Sequence, residues 1–183
     1  LGITSLEDKI VQQAVSTVLN AIYEVDFCGM SYGFRPGRDQ HMALDALYVG
    51  IKRKKVNWIL DADISGFFDA ISHDRLMEFI KIRIGDKRIL RLIRKWLKTG
   101  YEEDGVRHYP EKGTPQGAVI SPLLANIFLH YVLDTWLVKW RQVRCTGDVV
   151  YTRYADDLVA GFQHRAEAEA FLESLRKRLA EHG

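Results

Sequence analysis

The sequence predicts an α+β fold: a ferredoxin-like βαββα sheet short of its last strand, preceded by a mostly helical region. Three observations predict it. The apolar run Asn57 to Ile64 ends in acid and reads as a strand. Two β-rich runs, Asp148 to Tyr154 and Leu158 to Phe162, flank Ala155-Asp156-Asp157 and read as a tight hairpin carrying two acids. Helical periodicity occupies the interval between strand and hairpin and returns after it.

The elements follow in order. Thr4 with Glu7 makes a capping box ahead of Ile10, Val11, Ala14, Val15, Val18 and Ile22, so a helix is expected over about residues 5 to 24. A Gly- and Pro-containing loop, Cys28 to Arg38, leads into a helix from about Asp39 to Arg53. The 57–64 run, bounded by a basic turn and Gly66, is expected to be a buried strand. Helices His73 to Ile84 and Asp86 to Lys98 come next. The second is crowded with Lys87, Arg88, Arg91, Arg94, Lys95 and Lys98, which is ordinarily a solvated face but could track RNA. Gly105 to Lys112 suggests a turn or short hairpin, and Ser121 to about Val143 one long buried helix, with Ser121 as cap and Pro122 in its first turn. A charged amphipathic helix, His164 to His182, closes the chain.

Composition narrows the class. The length of 183 residues suits one compact domain, and no repeat or linker divides it. Twenty-six basic against 24 acidic residues leave +2, too mild to identify a polyanionic partner, so charge distribution must carry that argument. Cys28 and Cys145 form no CxxC pair, which argues against zinc or a disulfide framework and for a reducing cytoplasm. No apolar run approaches the roughly 18 residues of a membrane span. The chain opens at Leu1 without methionine, and a missing upstream segment is expected.

The chemistry gathers in two acidic places. Side chains alternate along a strand, so Asp61 and Asp63 share a face. A carboxylate in an apolar setting costs several kcal/mol unless paired or bound to metal. Asp156 and Asp157 are adjacent like charges between apolar runs, an arrangement that favours a cation. Two hard divalent ions roughly 3.5 to 4 Å apart would neutralise such acids and suit in-line phosphoryl transfer, with magnesium the natural candidate. Singly, a strand-end Asp is ordinarily a cap and a DD pair an exposed turn. Gly113 and Gly117 permit close backbone approach and Pro115 stiffens their loop, although a plain loop-to-helix junction would look the same.

Asp63-Ile64-Ser65-Gly66-Phe67-Phe68, then Gly113-Thr114-Pro115-Gln116-Gly117 with Ser121-Pro122-Leu123-Leu124-Ala125-Asn126-Ile127-Phe128, then Arg153-Tyr154-Ala155-Asp156-Asp157 resemble, in that order, the motif blocks of reverse transcriptases encoded by bacterial group II introns. Leu1-Gly2-Ile3-Thr4, Val11-Gln12-Gln13-Ala14 and Ser31-Tyr32-Gly33-Phe34-Arg35-Pro36-Gly37-Arg38 resemble that family's finger segments. The resemblance implies part of the fingers over residues 1–56 and a polymerase palm over 57–183, cut before the thumb and treated as one compact domain.

It further implies residue roles. Asp63 and Asp156 would ligate two Mg2+ ions, for which Mn2+ can substitute. The Ile64 carbonyl would complete the nucleotide-bound site, and Asp157 would support the metal-bound primer end. Phe68, with Phe67 as competitor, would exclude a ribose 2′-OH. Gln116 would lie against the nascent base pair, and Ala155 would keep the floor beneath the primer small. Gly113, Pro115 and Gly117 would support the template, with Arg35 and Arg38 on its backbone.

Implied partners are an RNA template, intron RNA, a DNA primer and dNTPs, with no membrane. An uncovered sheet edge could pair two copies into a homodimer. The expected location is the bacterial cytoplasm, at the nucleoid or in an intron ribonucleoprotein. An intron-RNA-binding maturase, or a retron, CRISPR-associated or phage-defence enzyme, is the alternative. Lacking the family's thumb and its triphosphate-holding finger residues, the chain alone is expected to be a poor polymerase.

Overall fold

The computed structural model of the chain describes residues 5–103, 106–115 and 117–182. It divides into two compact units interleaved in sequence. One takes the chain up to Asp26 together with Gly66–Phe128; the other takes Phe27–Ser65 and Leu129–His182.

The first unit is mainly helical: α1 (Leu6–Tyr23), a single-turn α3 (Phe67–Ala70), α4 (His73–Arg83), α5 (Lys87–Leu97) and α6 (Ser121–Leu129, of which all but Leu129 belong here). α1 begins one residue later than a Thr4 cap would place it, because Ser5 is the N-cap and accepts from the Asp8 N–H. Thr4 lies outside the described residues. Ser72 and Asp86 cap α4 and α5 in the same way. Leu19, Tyr23, Leu76, Ile80, Ile93, Leu97, Ile120 and Leu124 form the buried apolar core. The Tyr23 hydroxyl donates to the Ile80 carbonyl at 3.2 Å, so α1 is tied to α4. The hairpin expected near Gly105 starts earlier, as β2 (Tyr101–Glu103) antiparallel to β3 (Val106–His108).

The second unit holds α2 (Gln40–Arg53), β1 (Trp58–Asp63), a π-helical turn (His130–Asp134), α7 (Thr135–Arg144), β4 (Val149–Tyr154), β5 (Asp157–Phe162) and α8 (Arg165–Ala180). The stretch expected as one uniform helix to Val143 is therefore broken in character by the π turn. The three strands form an antiparallel sheet in the order β1-β5-β4. Period-two alternation divides its side chains. Leu60, Ala62, Leu158, Ala160, Phe162, Val149, Tyr151 and Arg153 share one face. On it Phe171 of α8 is fully buried, with ring centroids 5.2 Å from Phe162, 5.6 Å from Tyr151 and 5.0 Å from Trp140.

The opposite face carries Ile59, Asp61 and Asp63 from β1, Val159 and Asp157 from β5, and Thr152 and Tyr154 from β4. β1 is not the buried strand its composition suggests: Trp58 is 43% exposed, Ile59 53%, and Asp61 and Asp63 are exposed. The reason is topological, since β1 is a sheet edge and α2 lies over β4, with Gly50 tight against Val150. The several-kcal/mol burial cost argued for Asp63 therefore does not apply.

Candidate functional site

The acids meet through strand register. Asp63, the last residue of β1, is the direct antiparallel partner of Asp157, the first residue of β5. Directly paired residues project to the same side, with Cβ atoms about 4.5–5.5 Å apart. Asp61 lies two residues back on the same face, paired with Val159. Asp156 precedes Asp157 in the two-residue turn Ala155-Asp156, so that turn carries one acid and β5 the other. Burial first, then the charges of Asp156, Asp63 and Asp61, push the Asp157 carboxyl above its ordinary range.

This oxygen-only, negatively charged donor set suits a hard divalent cation. Among the described residues no three His, Cys, Asp or Glu side chains are grouped as a ready-made cage. The sheet fixes which acids are neighbours.

The turn itself is held in a demanding conformation. Ala155 has φ 55°, left-handed and disfavoured for a residue with a Cβ. Three features hold it. Arg153, fully buried, donates from Nη1 to the Ala155 carbonyl at 2.6 Å. The rest of its guanidinium forms a bidentate pair with the equally buried Asp134 of the π turn, at 2.8 and 2.7 Å, and reaches Ser31 Oγ at 2.7 Å. Met30 and Tyr32 bracket the same residue, the Arg153 N–H donating to Met30 O and the Tyr32 N–H to Arg153 O, both at 2.9 Å. Finally, Gly33 lies so close to the turn that a Cβ there would fall 2.3 Å from the Ala155 nitrogen.

Sequence reasoning missed Arg153, Asp134, Ser31 and Gly33 as supports of the turn. The signal was present, since a lone Arg in Val149-Val150-Tyr151-Thr152-Arg153 and a lone Asp in an apolar helix each need a partner.

The remaining candidates divide. Arg35, expected on the template backbone, is 6% exposed, and its Nη1 donates to Cys28 O at 2.7 Å and Ser31 O at 2.6 Å. Arg38 donates to Gly29 O at 2.6 Å, its guanidinium 5.0 Å from the Tyr32 ring centroid. Both close the Cys28–Arg38 loop on itself, so neither is presented as an open phosphate contact.

In the other unit, Phe67 is a core phenylalanine at 5% exposure and Phe68 is half-buried beside it. The structure brings Phe68 to the glycine loop: the Thr114 N–H donates to Phe68 O at 2.8 Å, and Gly113 has φ 88°. A Cβ on Gly113 would lie 2.9 Å from that same carbonyl. Pro115 is half-buried and Gly117, φ 90°, is exposed. Ser121 is the first helical residue, its hydroxyl donating to Pro115 O at 2.7 Å instead of capping α6. Gln116 lies outside the described residues. Ile64 follows β1 directly, half-buried.

All 183 residues match the family described as reverse transcriptase (RNA-dependent DNA polymerase). The chain belongs to the reverse transcriptase family. Among curated relatives, the group II intron-encoded protein LtrA of Lactococcus lactis is 46% identical over 144 residues, 78% of this chain and 23% of that protein. A 91 kDa protein in the cob intron of Schizosaccharomyces pombe is 45% identical over 130 residues, 71% of this chain and 16% of that protein. The chain thus spans less than a quarter of the length of either. Within the reverse transcriptases, its resemblance is to the group II intron-encoded proteins. Apo telomerase from Candida tropicalis aligns over 93% of this chain and 36% of its own, with TM-score 0.63 and 15% identity, a likeness of fold. Reverse transcriptases use divalent metal ions, and carboxylates are oxygen donors of the kind such ions take.

Proposed function

We propose that this chain is the catalytic part of an RNA-directed DNA polymerase of a group II intron retroelement, joining a deoxynucleotide to a primer 3′-OH. The observation that carries the reading is the Asp63–Asp157 register with Asp156 in the adjoining turn. Asp63, Asp156 and the Ile64 carbonyl provide oxygen donors for two magnesium ions, and Asp157 supports the primer side. Bound there, the ions supply charge neutralisation at the phosphates and polarise the primer hydroxyl. The chain's own residues do the positioning. Ala155 offers a small floor beneath the primer terminus, and half-buried Phe68 selects against a 2′-OH. The Gly113–Gly117 loop, with Gln116, supports the template and incoming nucleotide. In the same reading the β1-β5-β4 order is a ferredoxin-like palm without its fourth strand, which would pair along the open side of β1.

The test is primer extension on an RNA template by the natural protein carrying these residues. Asp156→Asn, or chelation of magnesium, is expected to abolish extension. Extension that survives the substitution overturns the assignment. A maturase role beside polymerisation is the second reading, favoured by the similarity to an intron-encoded protein. Splicing without any primer extension would make it the first.

A further inference from the structure

We propose that the exposed face of α5 is a docking surface for the phosphodiester backbone of RNA. The proposal rests on the reading above that the protein works on RNA. From Lys87 to Lys98 the chain holds six basic residues and no acid, although basic and acidic residues nearly balance overall. At 3.6 residues per turn, all six fall within about 120° of arc along roughly 16 Å of axis. All six are exposed, while Ile93, Trp96 and Leu97 bury the other face.

Arg88 is engaged by Asp86 at 2.9 Å. Among the described residues, Lys87, Arg91, Arg94, Lys95 and Lys98 have no ion-pair partner. Helix stability alone does not account for the pattern. Arg94, Lys95 and Lys98 suit the negative C-terminal end of the helix, but Lys87 and Arg88 oppose the positive N-terminal end. Lys87–Arg91, Arg91–Lys95 and Arg94–Lys98 are like-charge pairs at i,i+4 and repel. A polyanion laid along the stripe relieves all of these terms together, and each phosphate it neutralises releases a counterion.

The experiment measures binding of a fluorescent RNA hairpin across a salt series. It compares the wild-type protein, a variant with Lys87, Arg91, Arg94, Lys95 and Lys98 changed to Gln, and a charge-matched control. The control changes Lys139, Arg141, Arg144, Arg176 and Lys177 to Gln, all of them exposed. The stripe variant is expected to lose at least about tenfold in affinity near 0.1 M salt, with its log–log salt slope smaller by about 2–4; the control should lose under about threefold. Equal losses in the two variants would reduce the effect to net charge and overturn the proposal. Unchanged RNA binding by the stripe variant would also overturn it and point to a protein partner, leaving the polymerase reading intact. Failure of the wild-type protein to bind RNA would overturn both.

Discussion

Asp134→Ala removes half of a fully buried ion pair and leaves the Arg153 guanidinium uncompensated in the sheet's covered face. The wild-type pair is bidentate at 2.8 and 2.7 Å, and both side chains have zero exposure, so the guanidinium loses its counter-charge away from bulk solvent. Breaking such a pair costs about 3–5 kcal/mol. For a chain of this size that corresponds to a fall in Tm of about 6–20 °C. Urea or thermal unfolding of the protein reads it directly. The apolar double variant Asp134→Leu with Arg153→Met should recover most of the stability, because the desolvation cost disappears with both charges. It should not recover primer extension, because the 2.6 Å bond to the Ala155 carbonyl is still missing. A loss below about 1 kcal/mol for Asp134→Ala would refute the reasoning, since the pair would then behave like one at the surface. Full extension by the double variant would refute the positioning role separately.

Gly33→Ala should destabilise the protein by about 1–3 kcal/mol in urea unfolding and depress extension, because the atoms in its way are turn backbone and cannot rotate aside. The Asp86 carboxyl is held down to about 2, against an ordinary 3.8, by its side-chain hydrogen bond with Arg88 and the N–H groups it caps. A depressed folded-state value contributes stability that is complete above 3.8 and lost as the pH falls through about 2, so Asp86→Asn should flatten acid unfolding in that window. Burial, then the charge of Glu167, pushes the Cys145 thiol up to about 11, so at pH 8 it should react with a disulfide reagent roughly tenfold more slowly than an ordinary thiol, the loss of thiolate being partly offset by its greater basicity. Rapid modification of the folded protein would contradict that burial.

Local chemistry was legible in the sequence. Helices α2, α4, α5 and α8 lie within a residue or two of their expected ends because the caps and periodicity that define them are local. The acidic hairpin and its flanking strands were readable for the same reason. β1 misled because an apolar run reports what a strand can bury, whereas burial depends on which neighbours the topology supplies, and an edge has few. Arg35 misled in the opposite sense: a basic residue in a glycine-rich loop resembles a phosphate ligand until its guanidinium is seen closing carbonyls of that same loop. That Arg153 and Asp134 each need a partner was readable, but their pairing with one another was not, because it depends on the π turn, which no helical period announces.

The contact of Ser31 with Arg153 spans 122 residues. β4 and β5 can zip through their two-residue turn early in folding, but their tip is braced only when the far N-terminal loop arrives. Closing so long a loop costs about 1 kcal/mol more than closing one of roughly 30 residues. Competence for chemistry should therefore lag behind collapse of the sheet, and a ligand that pries that loop loose would silence the acids without touching them.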